Sequence, residues 1–161
     1  MADRRLREGY TTRIIGLGND FRGDDGLGLY VARTLKRSVP LHTTVFEVSD
    51  VAGGLLDAMN GADSVIIVDA MSSGGIPGTI LRFDANRQAI PSTSFRTSTH
   101  AMNVTDVILL ARVLDTLAPK CCVYGIEGAD FTMGASISPS VRAAADTVVR
   151  EIAESVDASV V

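Results

Sequence analysis

Five short runs rich in aliphatic and β-branched residues punctuate the chain: RIIGLG (13–18), TTVFEV (43–48), SVIIVDA (64–70), TILRF (79–83) and CCVYGIE (121–127). Several are apolar almost throughout, as in strands buried on both faces of a parallel sheet. Parallel neighbours need long crossovers, and helical segments lie between the runs. The first, about 25–37, lines up Leu27, Tyr30, Val31, Thr34 and Leu35 on one face. A short one spans about 52–60, and a third, about 101–117, stacks Val104, Val107, Ile108, Ala111 and Leu114. The last opens with Ser138 as N-cap and Pro139 at the first helical position. Its stripe of Val141, Ala144, Ala145, Val148, Val149, Ile152 and Val156 keeps helical spacing for four turns. The order β-α-β-α-β-β-α-β-α therefore predicts an α/β protein, a three-layer α/β/α sandwich with helices on both faces of a five-stranded, mostly parallel sheet. MSSGGIPG, between the third and fourth runs, is too short for a helical crossover, so an antiparallel turn there should make the sheet mixed.

A length of 161 residues fits one domain spanning 1–161. With 46% hydrophobic and 21% charged residues the chain is globular, and its net charge of −4 offers no general attraction for nucleic acid or anionic membranes. MADRRLREGYTTR lacks the apolar segment of a secretory signal, and no apolar run is long enough to span a bilayer. Cys121 and Cys122 should point to opposite faces of one strand, too awkwardly placed to bridge and without zinc-pair spacing. A reduced, cytoplasmic protein is expected. The long loop DANRQAIPSTSFRTST, 84–99, is of a length that is functional or mobile in compact domains.

GLGNDFRGDDGLGLY, 16–30, follows the first strand like a dinucleotide-binding turn. The fingerprint needs a glycine at position 21, which is Phe21, and two carboxylates would repel a pyrophosphate. One aspartate suits a helix cap; two do not. Asp24 is accordingly expected to cap the first helix, leaving Asp25 for another task. Asp69 ends the apolar run Val65-Ile66-Ile67-Val68, where a carboxylate is costly unless a cation or donors meet it. Ligands of open α/β sheets bind at such strand ends. His100, one of two histidines with His42, begins the third helix. Asp25, Asp69 and His100 can thus converge on one sheet edge. Two carboxylates and an imidazole suit nickel, zinc or a similar divalent ion and leave positions open for substrate or water. Glu47, Asp50, Glu127 and Asp130 add acid to the same edge, or simply form a solvated rim. No G-x-S-x-G nucleophile elbow exists, and Cys122 begins its strand at the wrong end to pair with His100.

GLGNDFRGDDGLG, VIIVDA, TSTHAM and GIEGADFTMGASISPSV occur in this order. Together they resemble the nickel–iron hydrogenase maturation endopeptidases over roughly residues 13–155. The resemblance implies a peptidase, of aspartic type, that removes the C-terminal extension of a hydrogenase large-subunit precursor after nickel insertion. It places the family's three metal-contacting positions on Asp25, Asp69 and His100, the first often glutamate elsewhere. Nickel would arrive with the precursor and be held only weakly by the free enzyme, which is expected to be a monomer. In place of the family's Asp-Gly-Gly-Thr-type turn the chain reads FEVSDVAGGLL, with Glu47 at the aspartate position and Asp50 near the threonine. Substrate recognition is expected to differ accordingly.

Water, with no covalent nucleophile in view, should attack the scissile carbonyl. The ion would either polarise that carbonyl or activate water, or would only dock the precursor and leave Asp25 or Asp69 as general base. Two other readings keep the fold. A small-molecule hydrolase or phosphorylase would need a basic anion pocket where this edge carries Asp25, Glu47, Asp69 and Glu127. A non-enzymatic nickel chaperone would favour histidine or cysteine clusters, which the sequence lacks.

Overall fold

The computed structural model describes residues 9–92, 94–95 and 102–157. Strand β1 (Thr12–Leu17) leads through a buried 3-10 turn, Gly23–Gly26, into α1 (Leu27–Leu35). Then come β2 (Thr43–Val48), a π-helical turn at Val51–Leu55, α2 (Leu56–Met59) and β3 (Ser64–Met71). The remaining elements are β4 (Ile80–Asp84), α3 (Val104–Val113), β5 (Lys120–Glu127) and α4 (Pro139–Asp157). The strands form one sheet in the order β2-β1-β3-β5-β4, parallel except for β4.

The expected mixed sheet is present, but β4 pairs antiparallel with β5 and not with β3. The loop after β3 therefore steps across the position that β5 fills. β3 has strand neighbours on both sides and its residues from Val65 to Met71 are all buried, as its apolar run demands. β4, at the edge, exposes Leu81 and Arg82, and Arg82 reaches α4 through Glu151.

Alternation along β3 feeds two cores. Ile66, Val68 and Ala70 pack with α1 and α4, through Leu27, Val31, Leu35, Val141, Ala145, Val148 and Ile152. Val65, Ile67 and Met71 face α2 and α3, through Met59, Val104, Val107, Ile108 and Ala111. Cys121 and Cys122 join opposite cores, so both cysteines are free and face away from each other.

Helix α4 begins at Pro139, as expected, and the backbone carbonyl of Ser138 accepts from Arg142 N (2.8 Å). α3 is shorter than its periodicity suggested. Its start is fixed by a capping box: Asn103 Oδ1 accepts from Asp106 N and Asp106 Oδ2 from Asn103 N, both at 3.0 Å. It ends at the C-cap Leu114, which is half exposed, and Asp115 follows with a left-handed backbone at φ 54°. The long loop after β4 is anchored in part, with Ala85, Ile90 and Phe95 buried in the α2–α3 core.

Candidate functional site

The chain leaves β1 for β2 on one side and returns through α2 to β3 on the other. The carboxyl ends of β1 and β3 thus flank the point where strand order reverses, the crevice in which doubly wound folds bind ligands. The β1–α1 turn carries Asp25 to this point, and β3 carries Asp69.

The glycines of this turn serve the backbone. A Cβ at Gly28 would collide with the carbonyls of Leu17 and Val68, so α1 lies directly against the strand ends because that position has no side chain. Gly23, at φ +54°, has a left-handed backbone and sits against the Asp130 carbonyl.

Asp24 is not the helix cap that the sequence suggested. The 3-10 turn is preceded by Arg22 with no side-chain cap, and Gly26 precedes α1. Asp24 instead points across to the β5–α4 loop and is fully buried. Its Oδ2 accepts from Ala129 N (2.7 Å), Asp130 N (2.9 Å) and Ser138 Oγ (2.9 Å), while Oδ1 accepts from Ser138 N (2.6 Å). Its own N–H donates to the Asp130 carbonyl (2.8 Å). Burial alone would raise its pKa, but the bonds from Ser138, Asp130 and Ala129 outweigh it and hold the carboxyl below 3.8. Ser138 precedes α4 as expected, and its hydroxyl is turned to Asp24.

Asp25 and Asp69 are in the opposite condition. Asp25 is 8% exposed and Asp69 4%. Among the described residues, the bond to the Asp69 carboxylate is a local one, from Ala70 N to Oδ1 (2.8 Å). Burial and then the charge of Asp25 push the Asp69 carboxyl up to about 8. Burial also raises Asp25, with the Arg22 charge and the Asn19 backbone pulling the other way. The Asp25 charge disfavours ionisation of Asp69, so the two buried carboxyls cannot both ionise cheaply. A divalent cation between them would remove the repulsion, so the donor chemistry fits such an ion. Asp69 shares the sheet face of Ile67 and Met71, the face that α3 covers. His100, the third expected ligand, lies outside the described residues, among which no group of three potential metal-binding side chains occurs.

The other acids separate cleanly. Glu47 pairs with Arg33, which also binds Asp20 (2.6 Å), tying the β1–α1 turn to β2. Asp50 precedes the π-helical turn, its carbonyl accepting from Gly54 N (2.8 Å). Asp130 is a loop residue whose Oδ1 accepts from Thr132 N (2.9 Å). Glu127 is 4% exposed and is no rim residue: it accepts from Ser73 N (2.9 Å), Ser73 Oγ (2.7 Å) and Gly75 N (3.1 Å) and so fixes the β3–β4 loop. Sequence reasoning missed both anchors, Asp24 and Glu127. Their partners are backbone amides 52 to 114 residues away, and an amide leaves no sequence signature.

A cavity of about 520 Å³ lies at the opposite, amino-terminal edge, among Tyr10, Ser64, Arg87, Lys120 and Cys122. It contains none of the candidate residues. Cys122 is at this edge, as expected, and burial pushes its thiol up to about 11, which leaves it a poor nucleophile.

Fold and site together define a doubly wound α/β protein with two buried aspartates, Asp25 and Asp69, at its switch point. The family model for hydrogenase maturation protease matches residues 29–155, and the chain belongs to that family. The match includes Asp69 and His100 and begins just after Asp25. The hydrogenase expression/formation protein HupD of Thiocapsa roseopersicina is 24% identical over 132 residues, 80% of this chain; the chain spans 60% of that relative's length. HupD of Rhodobacter capsulatus is 24% identical over 144 residues, 86% of this chain and 67% of the relative. Among solved structures, the hydrogenase maturating endopeptidase HybD from E. coli superposes with a TM-score of 0.79 at 20% identity, covering 92% of this chain and 93% of that one. The [NiFe] hydrogenase maturation protease HycI from Thermococcus kodakarensis KOD1 gives 0.70 at 23% identity, covering 94% and 96%. At such identities the superpositions establish the fold, and they extend over nearly the whole chain. Among the described residues no helix is long and apolar enough to cross a membrane.

Proposed function

We propose that this protein is a monomeric, cytoplasmic endopeptidase that removes the C-terminal extension of a nickel–iron hydrogenase large-subunit precursor after nickel insertion. The observation that carries this reading is the Asp25–Asp69 pair, buried and scarcely hydrogen-bonded at the switch point of a chain in the maturation protease family. Loop anchors in the same molecule have every carboxylate oxygen met by donors. Among the described residues the Asp69 carboxylate is met only locally, from Ala70 N, and a buried carboxyl with so raised a pKa is a candidate for ligand binding.

Asp25, Asp69 and His100 meet the nickel that the precursor brings with it. The ion offsets the charge that burial makes costly and orients the precursor's backbone at the switch point. Water is the nucleophile. The carboxylate of Asp25 or Asp69 acts as general base, accepting a proton from the attacking water and returning it to the departing amine, as in an aspartic-type peptidase. Nickel thereby serves as a recognition feature of the substrate, and an acid-rich set with one imidazole has little means of selecting nickel by affinity alone.

The test is processing of the host's large-subunit precursor, followed by mass spectrometry. Nickel-loaded precursor should be shortened and unloaded precursor left intact. Asp25→Asn, Asp69→Asn and His100→Ala should each abolish cleavage, with circular dichroism unchanged. Normal cleavage by any of the three folded variants removes that residue from the site. Efficient cutting of unloaded precursor rules out substrate-borne nickel.

A further inference from the structure

Large apolar side chains are exposed on two loops beside the acidic pair. Phe21, four residues before Asp25, is 73% exposed, and Met133, in the β5–α4 loop, is 69% exposed. Neither gains much from folding in this position. Their backbones are nevertheless fixed. Phe21 N donates to Asn19 Oδ1 (2.9 Å), and the Phe21 carbonyl accepts from Gly134 N (2.8 Å), joining the two loops next to Met133. Asp24, between Phe21 and Asp25, clamps the same two loops together through its four accepted bonds. Arg22, next to Phe21, is close enough for its charge to act on Asp25. Two exposed apolar side chains are thus carried on loops joined by backbone hydrogen bonds, one of which also carries Asp25.

We propose that Phe21 and Met133 form a docking lip for a nonpolar side chain of the precursor, seating an extended polypeptide segment so that its scissile bond reaches Asp25 and Asp69. This rests on the processing role proposed above. The loop backbones are already joined by hydrogen bonds, so binding has chiefly the two side chains left to order. The pair touches the substrate away from the reacting bond and should therefore govern KM more than kcat.

The experiment measures kcat and KM for nickel-loaded precursor with the wild type, Phe21→Ser, Met133→Ser, the double serine variant and the double leucine variant. Val113→Ser is the control, since Val113 is 82% exposed on α3, away from these loops. The double serine variant should raise KM by about tenfold, as expected for losing contact with one buried nonpolar group, with kcat within about twofold. Each single serine variant should show a smaller rise, the leucine variant should stay near wild type, and Val113→Ser should have no effect. Thermal melting checks that all remain folded, which their exposure favours. An unchanged KM in the double serine variant overturns the lip while leaving the processing role intact, as does an equal rise in Val113→Ser. Sedimentation that shows a dimer dissolved by the serine substitutions would assign the lip to a second copy and overturn it too. A wild type that cuts no precursor overturns both readings.

Discussion

Asp24 and Asp25 are neighbours in sequence and both buried, yet they belong to regions built on opposite principles. Around Asp24 the β5–α4 loop wraps a carboxylate with three backbone amides and a hydroxyl, and ionisation is favoured. Around Asp25 and Asp69 burial raises both carboxyls, and the Asp25 charge raises Asp69 further. One region holds its charge in place with hydrogen bonds; in the other, burial disfavours the charged form. Glu127, with its three donors in the β3–β4 loop, belongs with Asp24.

The most severe way to break this contrast is Asp24→Ala. It removes the acceptor of part-buried bonds from Ala129, Asp130 and Ser138 and empties a fully buried position, and should destabilise the protein by roughly 3–5 kcal/mol in urea denaturation. Asp24→Asn should lose roughly 1–3 kcal/mol, because an amide nitrogen would face N–H groups where an oxygen is needed. A merely capping aspartate would tolerate asparagine, so a neutral Asp24→Asn would restore the capping role. The pH dependence has a definite sign. A folded pKa below 3.8 gives stability that is present above about pH 4 and lost as pH falls through the folded value. The Asp24→Asn variant should accordingly lose less stability on acidification than the wild type.

Asp69→Asn should act in the reverse direction. In the unfolded chain this carboxyl ionises near 3.8, and in the metal-free fold it holds its proton up to about 8. The fold therefore loses stability as pH rises from about 4 to about 8. Asparagine removes that loss and should stabilise metal-free protein by roughly 1–3 kcal/mol at pH 8, with no gain at pH 4. A destabilised Asp69→Asn at pH 8 would mean that the carboxylate is structural after all.

Arg33→Ala gives the smallest expected change. Its bridges to Asp20 and Glu47 are about half exposed, so screening should hold the loss below about 1 kcal/mol, declining further in high salt. A loss several times larger would place Arg33 among the anchors of the Asp25 turn.

Much of this was legible from the residues. The apolar strands gave the central position of β3, Pro139 gave the start of α4, and strand-end placement gave Asp69 its prominence. β4 was harder, because loop length excludes a helical crossover without saying which strand becomes the neighbour. α3 was overextended because apolar periodicity does not report the left-handed backbone at Asp115 that ends the helix.

The adjacent aspartates show where sequence reading ends. By itself the sequence determined that two acids occupy a glycine-rich turn after an apolar strand, and that a third acid ends the central one. Those facts depend on local patterning and strand periodicity, which residue type carries directly. Only the tertiary structure decided which acid is satisfied. That outcome depends on backbone amides of Ala129, Asp130 and Ser138 arriving from more than a hundred residues away, and every residue except proline offers the same N–H.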